Sequence, residues 1–168
     1  MSLLSGPVYR TRQFAGALRP RLSVDERAEA ERVLGEQLAT LFKSMSLRDR
    51  RHCFDVYKML LSNGCQDGDI LMAALLHDAG KGRLAGARVR LWHRVAYVAL
   101  AASSPALLRL LARSRSGLAS LHHHSERGAV LADALGAPTP VVDLIRRHEE
   151  RTGGDERLRL LRMADDAC

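Results

Sequence analysis

Ile70-Leu71-Met72-Ala73-Ala74-Leu75-Leu76-His77-Asp78-Ala79-Gly80-Lys81 decides the fold. The first seven residues are apolar on every side, and a helix that is apolar all round belongs in a core rather than on a surface. Asp67 can cap this helix, and the expected span is Asp69–Ala79 with a stop at Gly80. The run ends in a His-Asp pair. A carboxylate buried without a partner costs several kcal/mol, so Asp78 calls for a cation or a strong hydrogen-bond partner. On these two residues alone, a purely structural pair at the helix end is an equal reading.

Outward from this helix the chain reads as helical throughout. Ser23 with Glu26 forms a capping box for a helix over 24–43, and Ser46 can cap one ending at Asn63-Gly64. Further helices are expected near 88–102, from Ser104-Pro105 to about 113, from Ser125 to Leu135-Gly136, from Thr139-Pro140 to about Arg151, and from Asp155 to the C-terminus. No run alternates with period two, and there is no internal repeat. Segments 82–90 and 114–124 read as irregular. The expected fold is all-α, a compact bundle of about seven to nine helices. Residues 1–22 form a basic N-terminal arm and 23–168 a single domain.

Composition agrees. The chain has 168 residues, 46% apolar but only 4% aromatic, so Leu, Ala and Val must fill the core. The net charge of +7 suggests an anionic partner: a nucleotide, nucleic acid or an acidic membrane surface. Only three of the 26 basic residues are lysines (Lys43, Lys58, Lys81), a bias that genome composition alone can produce. Aromatics do not alternate with basic residues, so nucleic-acid binding is not expected. Cys53, Cys65 and Cys168 show no zinc-finger spacing, and the N-terminus shows no secretion pattern, so reduced thiols and a cytoplasmic location are expected. The longest uncharged stretch, Val95 to Leu108, is too short and interrupted for a membrane span.

Helical periodicity turns further ionisable residues inward. His52 shares a face with Val56, Met59 and Leu60, His148 with Val141, Leu144 and Ile145, and Asp165 with Leu158 and Leu161. Asp166 falls on the solvated side. Each residue alone is an ordinary core residue, but three of them together with the His-Asp pair are hard to satisfy except around a shared metal. Imidazole and carboxylate without cysteine suit Fe, Mn, Co, Ni or Zn. His93 reads as a core or wall residue, Trp92 as packing, and His122 and His123 as exposed loop residues.

The order His52, His77-Asp78, Asp165 resembles the pattern that names the HD superfamily of metal-dependent phosphohydrolases. Ala73 to Lys81 resembles its central motif, and His124-Ser125-Glu126-Arg127-Gly128 the His-Pro-Glu-x-Gly element of its two-metal branches. Arg147-His148-Glu149 resembles their His-His-Glu element with Arg in the first place, and Ala164-Asp165-Asp166 the closing Ala-Asp. The resemblance covers about residues 50–167. It implies that His52, His77, Asp78 and Asp165 hold one metal, and that Asp78 bridges to a second held by His124 and His148. The set is similar to those of bacterial dinucleoside-tetraphosphate hydrolases and HD-GYP phosphodiesterases. However, Glu150-Arg151-Thr152 follows His148-Glu149, so the Gly-Tyr-Pro element is absent.

The implied activity is hydrolysis of a phosphoester or phosphoanhydride of a small anionic substrate, a nucleotide above all, by a water activated on one or two divalent transition-metal ions. Asp78 and Lys81 are the candidate catalytic residues. Lys81 could bind a phosphate oxygen or protonate the leaving group; the other reading is a surface lysine. Arg147 is the further substrate-binding candidate, with Arg94 and Arg151 weaker ones. The alternatives are a di-iron oxygenase of the same superfamily, since some members use a similar ligand set, and a non-catalytic HD signalling domain.

Overall fold

The computed structural model describes residues 21–86, 91–112, 117–150 and 155–168, apart from the side chains of 91, 94 and 105. Among the described residues there are nine α-helices, two short 3-10 turns and no strand. We number the helices α1 (Val24–Ser44), α2 (Leu47–Ser62), α3 (Gly68–Leu76), α4 (Leu91–Ser103), α5 (Pro105–Leu111), α6 (Gly117–His122), α7 (His124–Ala134), α8 (Thr139–Arg147) and α9 (Glu156–Ala167). The 3-10 turns are Ala79–Lys81 and Arg83–Ala85. Most of the expected N-terminal arm, residues 1–20, lies outside the described residues.

Local chemistry sets most helix starts. The Ser23 hydroxyl accepts from the Glu26 N–H at 3.1 Å, and the Glu26 carboxylate accepts from the Ser23 N–H at 2.7 Å. Ser46, Asp67 and Asp155 cap α2, α3 and α9 through their side chains. Glu26 also takes both terminal nitrogens of Arg51 on α2, at 2.9 to 3.0 Å, tying the two helices together. Burial opposes its charge, but the Ser23 amide and Arg51 outweigh that and hold its pKa below the ordinary value. Its stabilisation is therefore present above the unfolded pKa of about 4.3 and is lost as pH falls through the lower folded value. Glu26→Ala should cost about 1–2 kcal/mol at pH 7, with a smaller difference from wild type at pH 3, read as thermal midpoints at the two pH values.

Five expectations are corrected. α1 is broken at Gly35, whose φ of 69° and ψ of 173° only glycine adopts without strain. α3 stops at Leu76 rather than Ala79, because the backbone at Gly80 must turn against another segment. α7 starts at His124, with His123 rather than Ser125 as the preceding residue, and a further helix, α6, occupies much of the segment read as irregular. Trp92, read as packing, is 58% exposed.

α3 runs through the middle, packed on α2 and α8 and closed by α1 and α9. Its Ala73, Ala74, Leu75 and Leu76 are fully buried. Leu41, Phe42 and Phe54 complete the core around it, and Leu22 packs at its margin. α7 lies against α8 and the first 3-10 turn, while α4, α5 and α6 form a neighbouring group. No disulfide joins Cys53, Cys65 or Cys168. Among the described residues no helix is long and apolar enough to cross a membrane.

Candidate metal centre

Five segments converge beside the C-terminal end of α3. His52 comes from the middle of α2, His77 and Asp78 follow α3, His124 opens α7, His148 follows α8, and Asp165 lies on α9. Asp165 turns inward and Asp166 is exposed. His52 Nε2 lies 2.8 Å from Asp165 Oδ1. His77 Nε2 lies 3.4 Å from the same oxygen and 3.8 Å from Asp78 Oδ1. His124 Nε2 is 3.4 Å from Asp78 Oδ1 and 3.2 Å from His148 Nε2.

Three of the histidines are held by one device. His77 Nδ1 donates to the Ala74 carbonyl at 2.9 Å, His124 Nδ1 to Leu121 at 2.8 Å, and His148 Nδ1 to Ile145 at 2.7 Å. A carbonyl only accepts, so each Nδ1 carries the proton and Nε2 of a neutral ring presents a lone pair. Each ring sits at a helix boundary, three residues past a free carbonyl, and this anchors it as metal-binding histidines are anchored through their other nitrogen. Burial, with His77 and His124 alongside, pushes the His148 pKa down to about 3, so that ring is neutral.

The donor set fits a cation. With both Nδ1 atoms protonated, the Nε2 lone pairs of His124 and neutral His148 face each other at 3.2 Å, an arrangement that a shared cation or a captured proton relieves. His77 Nε2 is buried without a hydrogen-bond partner. His52, His77 and Asp78 form one group able to hold a metal ion, and Asp78, His124 and His148 form another, with the candidate ligand atoms within 4.8 Å of one another. Asp78 is common to both. Asp165 Oδ1 sits beside the first group through its contacts with His52 and His77.

Both carboxylates are ionised despite burial. Burial opposes the charge on Asp78, but Lys81, His77 and His124 hold its pKa well below the ordinary range. Burial likewise opposes the charge on Asp165, and the His52 hydrogen bond, with His77 alongside, outweighs it. Lys81 is deeper than expected. Its ammonium lies 2.6 Å from Asp78 Oδ1, and its side chain is only 15% exposed. The 3-10 turn curls the lysine back over the carboxylate instead of leaving it at the rim.

Arg147 is not brought to this cluster. Its guanidinium binds Asp143 at 2.9 Å and Glu150 at 3.0 Å on the surface. Arg151 lies outside the described residues, as does the side chain of Arg94. A cleft of about 420 Å³ opens instead beside His148 and Asp165, and Arg159 and Arg162 line it. Periodicity could have found Arg162, which stands one turn before Asp165 on α9. Glu149 lines the same cleft, with one oxygen 3.8 Å from His124 Nδ1. His93 is buried as expected, His123 is exposed and His122 is half-buried, both at the end of α6.

No curated protein and no solved structure matches the chain. The family model of the HD domain does match, over residues 50–168. That span includes all six converging His and Asp residues and most of the helices that carry them. The chain belongs to the HD domain family, within the superfamily of metal-dependent phosphohydrolases.

Proposed function

We propose that the protein hydrolyses a phosphoester or phosphoanhydride bond of a small anionic substrate, a nucleotide in the first instance. The observation that carries this reading is one buried carboxylate, Asp78, shared by two groups of metal-ligating side chains. In this reading His52, His77, Asp78 and Asp165 hold one divalent cation, and Asp78, His124 and His148 hold a second. Bound there, such cations supply hydroxide from water near neutral pH and neutralise phosphate oxygens.

The chain's own residues do the rest. The three Nδ1 anchors keep the Nε2 atoms aimed at a common centre without reorganisation. Lys81, already in contact with Asp78, is placed to exchange that contact for a substrate phosphate oxygen. Arg162, at the cleft beside Asp165, is a phosphate-binding candidate in place of Arg147. Charge favours an anionic substrate: between Asp78 and Glu126 the sequence has eight lysines and arginines and no acidic residue.

The test is metal analysis of protein prepared without oxygen, followed by phosphate-release assays over nucleotides and phosphodiesters. We expect bound Fe or Mn and phosphate release that stops with chelator and returns with metal. Oxygen consumption by iron-loaded protein without phosphate release would replace this reading with an oxygenase. Protein that binds no metal and releases no phosphate would make the domain a non-catalytic module.

A further inference from the structure

A recess of about 310 Å³, separate from the metal-centre cleft, opens where α1 and α2 begin. Arg21, Leu22, Arg27, Leu47 and Arg50 line it. Three arginines converge there without an acidic lining residue. Arg50 Nε is buried and has no hydrogen-bond partner. Burial lowers the Arg50 pKa, and the positive charges of Arg27 and Arg83 lower it further. The next residue, Arg51, is in the opposite position, ion-paired with Glu26 and Asp55. Arg157 is similarly matched by Asp67 and Asp69.

Like charges gathered beside a buried, unpaired donor cost folding free energy unless an anion joins them. The chain leading into the recess cannot provide one, because residues 1–24 contain no Asp or Glu. Guanidinium forks match phosphate oxygens two at a time, which a spherical anion such as chloride cannot reciprocate. The volume lies at the lower end of the roughly 300–1,000 Å³ of small-molecule sites, which suits a phosphate or diphosphate group. We propose that this recess is a second anion site, distinct from the metal centre, that binds a small phosphorylated anion of the diphosphate class through Arg21, Arg27 and Arg50. Arg50 stands two residues before His52 on α2, so an occupied recess would brace the helix that presents His52.

The test is calorimetric titration of pyrophosphate into the full chain after chelation, so that no cation at the His-Asp centre can hold it. Wild type should bind. Arg50→Gln should bind at least about tenfold more weakly, and so should Arg27→Gln, whose exposed side chain makes loss of folding an unsuitable explanation. Arg146→Gln, outside both clefts and paired with Glu126, should bind as wild type does. The thermal midpoint of wild type should rise with pyrophosphate but not with chloride at equal ionic strength. Arg50→Gln should lose that rise. Equal affinity in wild type and both recess variants overturns the proposal, as does an equal loss in Arg146→Gln or no binding to wild type at millimolar pyrophosphate. None of these outcomes depends on whether the metal centre hydrolyses phosphoesters.

Discussion

Asp78→Asn is expected to lose at least one of the two cations and to lower phosphohydrolase turnover by roughly 10³-fold or more. The substitution keeps the shape of the side chain and removes its charge. Asp78 is the residue common to both metal-ligating groups. Its Oδ1 also faces Lys81 at 2.6 Å and His124 at 3.4 Å. An amide there leaves two cations facing each other without a bridging negative charge. Metal content by mass spectrometry, measured beside turnover, reads both effects. An Asp78→Asn protein that keeps two metals and full turnover would remove the shared carboxylate from the mechanism. Lys81→Ala should behave differently. It removes a cationic group that competes for Asp78 Oδ1, so metal content should hold or rise while turnover falls by about 10²-fold. Unchanged kinetics would leave Lys81 as a counter-charge for the metal-free site alone.

The convergence of the site was legible because helices project side chains at a fixed angle. His52 points with Val56 and Leu60, and Asp165 rather than Asp166 turns inward, as a period of 3.6 requires. Caps such as Ser23, Ser46, Asp67 and Asp155 were legible because their chemistry is local. What was not legible depends on distant contacts. Nothing between Gly68 and Lys81 says that α3 must stop at Leu76, since its end is set by segments some fifty residues away. The depth of Lys81 follows from that same early stop. Arg147 could have been discounted from sequence: Asp143 and Glu150 stand four residues before it and three after, the spacing at which helical neighbours pair. Gly35 and the short helix α6 carry no strong local signal, because an isolated glycine is tolerated in helices and α6 spans only six residues.

Gly80→Ala is expected to damage both stability and the second metal-binding group, with no change to any proposed ligand. A methyl group placed on Gly80 would come within 1.9 Å of the His124 carbonyl oxygen, 2.7 Å of its carbonyl carbon and 2.8 Å of the Gly128 nitrogen. All three are backbone atoms, so no side chain can rotate away and the first 3-10 turn must separate from α7. The cost should reach about 3 kcal/mol, at the upper end for overpacking a core, which lowers the melting midpoint by about 6–12 °C in a chain of this size. Separation also draws His124 away from Asp78, to which its Nε2 now lies at 3.4 Å. Metal bound by Asp78, His124 and His148 should therefore weaken more than metal bound through His52 and His77. Gly128→Ala provides the graded comparison. Its methyl would meet Gly80 N at 3.1 Å and a movable Ile145 methyl at 3.4 Å, contacts that a shift of a few tenths of an ångström relieves. If Gly80→Ala melts with wild type and retains all of its metal, the close approach of these two backbones does not hold His124 against Asp78. If Gly80→Ala loses stability and metal while Gly128→Ala loses little of either, the early end of α3 is what brings the two halves of the centre together.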